Sequence, residues 1–267
     1  MSPTSESVEA RLAHAELELL GRFADASNAT LLVRLLDRDP RPLEELAVAL
    51  GREPELDDLP ACDLAVYKPA RGEAPLWDFP ARTLHRREVA AYELSARLGW
   101  DLVPATVLRD DAPLGPGSLQ RFVPHDLDVH YFSLLEEGDP AILDQLRAMV
   151  VFDMLANNAD RKGGHVLLEH DTTPAGRVWL IDHGIAFHAR DKLRTVGWDF
   201  AGEPLPPRLR ADVACLAEQL SGQLAATLGR LLSVDELDAL RARVERTLAH
   251  EVLPRPAGPR STPWPLL

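Results

Sequence analysis

The sequence predicts an α+β chain of two lobes, a small sheet-rich one followed by a mainly helical one. Three observations carry that expectation. Short apolar runs broken by turn residues dominate residues 16–122, with one clear helix among them. Helix-start signals stand at Asp139-Pro140 and at Ser233-Val-Asp-Glu236 in the second half. A chain of 267 residues that is 46% hydrophobic has enough apolar material for a core in each lobe.

Taken in order, Glu16 to Phe23 and Asn28 to Leu36 are two apolar segments joined by the polar Ala24-Asp25-Ala26-Ser27, which predicts a hairpin. Asp37 to Pro60 is acidic and proline-rich, a surface insertion with a short helix near Leu43 to Leu50. Asp63 to Tyr67 is a buried strand that ends at Lys68-Pro69, and Arg71 to Pro80 is a loop. Thr83 to Leu98 is helical, with Val89, Tyr92 and Ala96 on one face and Gly99 placed to stop it. Ala105 to Leu108 and Ser118 to Phe122 are short strands around a Gly/Pro turn. The helix opened by Asp139 as N-cap and Pro140 at its first position lines up Ile142, Leu146, Met149, Val150 and Met154, and stops at Asn157-Asn158. A second hairpin follows, then a proline-rich stretch at Pro204 to Pro207 and two closing helices.

The charge balance narrows the function. With 42 acidic and 29 basic side chains the net charge is −13, which repels a polyanion and argues against nucleic-acid binding. Apolar stretches such as Ala148 to Phe152 are far below the roughly 18 residues of a membrane span, and Met1 to Glu16 is too polar for a signal peptide. Cys62 and Cys215 have neither metal-ligand spacing nor a disulfide framework, so a cytoplasmic location is expected. Only three lysines occur, Lys68, Lys162 and Lys192, against a background of arginine, which draws attention to where each stands.

The chemistry concentrates in 157–184, where Asn157-Asn-Ala-Asp160-Arg-Lys-Gly-Gly-His165-Val-Leu-Leu168 and Val178-Trp-Leu-Ile-Asp182-His-Gly184 flank a turn. A hairpin folded about Asp171 to Gly176 in which paired numbers sum to 347 sets Val166 opposite Ile181 and His165 opposite Asp182. That predicts a metal-capable pair beside the loop that carries Asp160, the combination phosphoryl transfer requires: a carboxylate and a second ligand for the cation, and a base for a hydroxyl. Asn-Asn-Ala-Asp and Asp-His-Gly are also ordinary turn sequences, and Lys68, Glu88 and Ser27 are individually common surface or turn residues. Their order along the chain is what separates the two readings.

In that order the chain resembles the protein-kinase-like superfamily, in particular its phosphatidylinositol 3-/4-kinase-related branch and the HipA-type kinases, over roughly Glu16 to Gly184. More closely it is similar to an actinobacterial family of kinase-related chains. The resemblance implies a bilobal kinase-like fold, with an N-lobe of 1–123, insertion 37–60 included, and a C-lobe of 124–267 that holds the catalytic hairpin 157–184. It implies that Val66-Tyr-Lys68-Pro is the strand of the nucleotide lysine and that Arg86-Arg-Glu88-Val-Ala-Ala-Tyr92 is the helix whose glutamate pairs with it. Gly117-Ser-Leu-Gln120-Arg121-Phe122-Val123 resembles the strand and hinge that meet adenine, through backbone groups of Arg121 to Val123. Asn158-Ala-Asp160-Arg161 resembles the catalytic loop and Ile181-Asp182-His-Gly184 the metal-binding triplet. The implied cofactors are ATP with Mg²⁺ or Mn²⁺; the implied partner is an anionic or hydroxyl-bearing acceptor: lipid, small molecule or protein.

The chain departs from the pattern in three places. The loop from Gly21 to Asn28 is nearly free of glycine, so Ser27, Asn28 and backbone N–H groups would hold the phosphates. His165 stands where the family has a metal-binding asparagine, which favours Mn²⁺ or removes a second metal site. Asp-His-Gly lacks the packing aromatic of Asp-Phe-Gly. These departures keep open a nucleotide-binding module without phosphotransfer, nucleotidyl transfer, and a metal-dependent hydrolase built on His165, Asp182, His183 and His188. The run His188-Ala-Arg190-Asp-Lys192-Leu-Arg194 is a basic cluster that suits an anionic target or pairs with neighbouring acids.

Overall fold

A computed structural model describes residues 7–24, 26–36, 42–170, 175–258 and 260–267. It contains α1 (Val8–His14), β1 (Leu17–Arg22), β2 (Leu31–Leu35), α2 (Leu43–Leu50), β3 (Leu64–Pro69), α3 (Leu84–Leu98), β4 (Thr106–Arg109) and β5 (Gly117–Arg121). There follow α4 (Tyr131–Glu137), α5 (Pro140–Ala156), β6 (Val166–Glu169), β7 (Arg177–Leu180), α6 (Pro207–Gln219), α7 (Gln223–Leu228) and α8 (Val234–Ala249). The chain forms two compact units, 1–85 with 105–124, and 86–104 with 125–267. The second unit thus takes in most of α3, which a break after 123 would group with the sheet. The hairpin turn residue Asp25, the start of the insertion at 37–41 and the turn residues 171–174 lie outside the described residues.

The first unit is an antiparallel sheet in the order β1-β2-β3-β5-β4. One face buries Ala65, Tyr67 and Leu119 together with Leu12 and Ala15. Leu12 and Ala15 come from α1 and its C-cap, an element that the polar run Met1 to Glu16 conceals. Arg109 holds that end in place by donating to the carbonyls of Leu12 and Ala15, both at 3.0 Å. Alternation along the strands puts Lys68 on the opposite face, beside its register partner Ser118 and with Val66, Gln120 and Thr106. Gly117 is obligatory next to Lys68, because a Cβ there would lie 2.5 Å from the Lys68 carbonyl oxygen.

Glu73 anchors the start of α3 within this unit. Its Oε1 accepts from the His85 backbone N–H at 2.9 Å and lies 2.7 Å from the His85 ring Nδ1. Burial pushes the Glu73 carboxyl up, but the His85 ring and the backbone N–H groups of His85 and Leu84 outweigh it, and the group lies below its usual range. Its stabilisation is therefore present above the ordinary carboxylate range and is lost as pH falls through the lowered folded value. Glu73→Gln is expected to cost about 1–2 kcal/mol near neutral pH. Denaturant unfolding of both proteins across pH should show that difference collapsing in acid; a pH-independent difference contradicts the assignment.

The second unit is built around α5, which starts where Asp139 accepts from the Ala141 and Ile142 N–H groups and ends with Asn157 in the left-handed region at φ 51°. Leu146, Met149, Val151 and Phe152 of α5 are fully buried. The capping box Ser233/Glu236 opens α8 as expected. Three helices, α6, α7 and α8, close the chain in place of two, because Gly222 interrupts the run after α6. The α4 helix, capped by the His130 ring and Ser133, has no conventional start signal in the sequence. No described helix is long and apolar enough to cross a membrane, and both cysteines are free.

Candidate active site

The loop after α5 is shaped by a buried ion pair. Arg161 is fully buried, and its guanidinium lies 3.1–3.2 Å from the fully buried Asp153 carboxylate. Burial pushes the Asp153 carboxyl up, while Arg161, the Thr195 hydroxyl and the Asn158 amide pull against it. Arg161 also donates to the Ile181 carbonyl at 2.7 Å and contacts His183 Nε2 at 2.7 Å. Arginine offers only donors, so His183 Nε2 accepts and the imidazole is neutral with its proton on Nδ1. His183 has no exposed surface and stands edge-on to Phe152, with ring centroids 5.5 Å apart. The expectation that Asp-His-Gly loses its packing aromatic is thus corrected: the neutral imidazole packs and also binds the arginine.

This framework sets out the predicted residues of the second unit. The Asp160 N–H donates to Asn158 Oδ1 at 2.9 Å, which closes the loop over 158–160. Burial holds the Asp160 carboxyl above its ordinary range; Lys162, with Nζ 3.4 Å from Oδ2, and Arg194 work against it, and the Asp182 charge adds to it. His165 Nε2 stands 3.5 Å from Asp182 Oδ2. The strand register that was to produce this pair is different, however. Val166 pairs with Leu180, so paired numbers sum to 346, and the Ile181 N–H donates to the His165 carbonyl. The two side chains meet because a 3-10 turn over Gly163–His165 turns one back and Asp182 takes a positive φ of 60°. Glu88 is buried in α3, and its Oε2 accepts from the His183 N–H at 2.9 Å, fixing the triplet from behind. Beside it, Arg87 reaches the Ala186 carbonyl and pairs with Glu236.

The residues assigned to nucleotide in the first unit are placed as follows. Lys68 is half-buried on its sheet face. Gln120 is buried and donates to Thr106 Oγ1 at 2.8 Å. The N–H groups of Arg121 and Phe122 donate to the carbonyls of Ala105 and Leu64, so these two donors serve the sheet. Ser27 is exposed at the hairpin tip, while Asn28 Oδ1 accepts from the Ala74 N–H at 2.7 Å and so pins the tip to the following loop instead of presenting that oxygen to phosphate.

The residues fit a divalent cation in a limited way. Two donors of one cation held at about 2.1–2.2 Å stand roughly 3.0–3.5 Å apart, the separation of His165 and Asp182. Among the described residues no group of three or more His, Cys, Asp or Glu side chains forms a metal cage. The hydrolase built on four ligands is therefore corrected, since His183 is buried on Arg161 and His188 Nδ1 accepts from the Arg190 N–H. A pair of protein ligands completed by phosphate oxygens is the arrangement Mg²⁺ takes in nucleotide sites. Asp153, Thr195 and Lys162 are the contributors that motif reading missed. Lys162 carried a signal, its rarity and its place two residues after Asp160.

A five-stranded antiparallel sheet followed by a helical unit with an aspartate loop and an Asp-x-Gly turn is the protein-kinase-like fold. The crystal structure of the Golgi casein kinase with Mn and ADP bound shares it, with a TM-score of 0.53 and 13% identity, covering 90% of this chain and 73% of that one. The Helicobacter pylori proinflammatory kinase CtkA does so with a TM-score of 0.51 and 13% identity, over 91% of this chain and 94% of the other. No protein-family model matches the sequence. Protein Rv2133c of Mycobacterium tuberculosis (strain ATCC 25618 / H37Rv) is 40% identical over 285 residues, 95% of this chain and 93% of the relative. The chain belongs to the Rv2133c family.

Proposed function

We propose that the protein is an ATP-dependent phosphotransferase, related to the phosphatidylinositol 3-/4-kinase branch, that moves the γ-phosphate to a hydroxyl of an anionic acceptor. The observation that carries this is one short loop set: a half-buried Asp160 with a raised pKa, Lys162 beside it, and the His165–Asp182 pair, all held by the Asp153–Arg161 ion pair. Asp160 is assigned to orient the acceptor hydroxyl and take its proton, a role that a desolvated carboxylate performs better than a solvated one. Asp182 and His165 are assigned to Mn²⁺ or Mg²⁺, which when bound supplies positive charge against the β- and γ-phosphates. Lys68 and Glu88 are assigned to fixing the phosphates and Gln120 to Val123 to the base, with Glu88 also holding the triplet through the His183 N–H. The Mn and ADP bound in the crystal structure of the Golgi casein kinase accord with the same cofactor class.

A second reading, nucleotide binding without transfer, is favoured by the engagement of Asn28 away from the phosphates. ATP consumption by the purified protein, assayed with Mn²⁺ and with Mg²⁺, separates the two. His165→Asn is expected to raise the Mg²⁺-to-Mn²⁺ activity ratio about tenfold, because an amide oxygen suits the harder cation and an imidazole the softer. An unchanged ratio removes His165 from the metal site, and binding of ATP with no consumption by either protein selects the second reading.

A further inference from the structure

Apart from the Asp160 loop, the second unit contains a pocket of about 670 Å³, within the size range of small-ligand sites. Six cations line it, Lys192, Arg194, Arg243, Arg246, Arg255 and Arg260, against one carboxylate, Asp191, in a chain whose net charge is −13. Apolar surface from Leu193 and Trp198 completes the wall. Among the described residues, Arg246 pairs with the single carboxylate of the wall, Asp191, at 3.0 Å. Arg243 is 4% exposed, donates to the carbonyls of Leu155 and His188, and its Nη2 is buried with no hydrogen-bond partner. Burial, opposed by Asp191 and Glu236 and reinforced by the Arg246 charge, lowers the Arg243 guanidinium to about 10. Such a concentration of like charge is costly unless an anion joins it.

The pocket is joined to the catalytic loop by backbone and side chain. The Asn157 side chain, itself in the wall, donates to the carbonyls of His188 and Arg190 and accepts from the Lys192 N–H. The Arg194 N–H donates to the Asn158 carbonyl, and the Arg161 N–H donates to the Arg194 carbonyl. Arg194 is also one of the cations that act on the Asp160 carboxyl.

We propose that this pocket receives the phosphate of the acceptor: the substrate is a polyol phosphomonoester whose phosphate lies among Lys192, Arg243, Arg246 and Arg260 and whose free hydroxyl is presented to Asp160. The assignment of the hydroxyl rests on the phosphotransferase reading above; the anion site does not. A dianionic ester with three acceptor oxygens matches several arginine forks, and a concave site of this volume suits a small ester, whereas a polyanion would need an extended basic stripe.

The test measures binding to the whole chain by titration calorimetry without ATP, so it is independent of catalysis. Inorganic phosphate and glycerol 3-phosphate are the soluble probes, glycerol is the uncharged control, and vesicles with and without phosphatidylinositol 4-phosphate test the same ester as a lipid headgroup. The expected result is binding of the phosphorylated probes and not of glycerol. Arg246→Ala/Arg260→Ala should weaken it at least about tenfold, since one charge-assisted hydrogen bond is worth that factor. Arg246→Lys, which keeps the charge, should retain more affinity than Arg246→Ala. Vesicle binding that requires the phosphorylated lipid and is lost in the double variant would identify the lipid as the source. Phosphate binding unchanged in the double variant, or none at all in a folded protein that consumes ATP, overturns the pocket while leaving the phosphotransferase reading intact. Phosphate binding in a protein that never consumes ATP overturns the acceptor role.

Discussion

Asp160→Ala is expected to lower the rate of ATP-dependent transfer by about two to four orders of magnitude, the usual contribution of a positioned general base. The surroundings of the side chain accord with that proposed role. Its backbone N–H is tied to Asn158 Oδ1, which fixes the direction of the carboxylate. Partial burial keeps the carboxyl above its ordinary range, and Lys162 at 3.4 Å works against that rise. Folding has little to lose by the truncation, because a desolvated carboxylate is not a stabilising group in itself. The variant should therefore unfold within about 1 kcal/mol of the wild type. Transfer at the wild-type rate would remove Asp160 from the mechanism, and a large loss of stability would make the activity loss uninformative about chemistry. Asp160→Asn, which preserves the shape and the hydrogen bond, guards against that second case by showing the same rate deficit in a protein of normal stability.

Arg161→Met is expected to cost about 3–5 kcal/mol of folding stability, because it strands the buried Asp153 carboxylate without its countercharge. The loss spreads beyond the pair. Arg161 also ties the Ile181 carbonyl and the His183 ring, so the Asp182 turn loses its support when the guanidinium goes. The diagnostic comparison is a double-mutant cycle with Asp153→Leu. Replacing both partners with apolar groups removes the stranded charge and should recover part of the loss, with a coupling of at least about 1–3 kcal/mol. Denaturant unfolding of the four proteins gives the coupling directly. A single-variant cost under 1 kcal/mol, or strictly additive changes, would mean that the pair does not organise the loop.

The parts of this fold that announce themselves in the sequence are those with local chemistry: the Asp139-Pro140 start of α5, the Ser233/Glu236 box of α8, Gly99 beyond α3, and Lys68 at the end of β3. The short α1 is hidden because a polar run carries its few buried residues, Arg11 and Leu12 among them. The β6–β7 register was illegible for a related reason. Both strands are buried on nearly every position, so no alternation of apolar and polar residues distinguishes a sum of 347 from one of 346. His165 and Asp182 nevertheless come together, through a 3-10 turn and a left-handed residue that pair-counting does not represent. Asp153 sits inside a helix with no motif around it. Its meaning arises only when Arg161 and Thr195 arrive from elsewhere in the chain. His183 misled in the opposite direction: a polar letter at an aromatic position turned out to be a neutral, buried, packed ring.

The central claim is that Asp182, with His165, holds a divalent cation together with nucleotide. Electron paramagnetic resonance of Mn²⁺, titrated into the protein with and without ATP, reads that directly. The account predicts Mn²⁺ uptake by the wild type that is strengthened by ATP and abolished in Asp182→Ala, in a variant that still folds. Equal uptake by Asp182→Ala, or uptake by the wild type that ignores ATP, would contradict it.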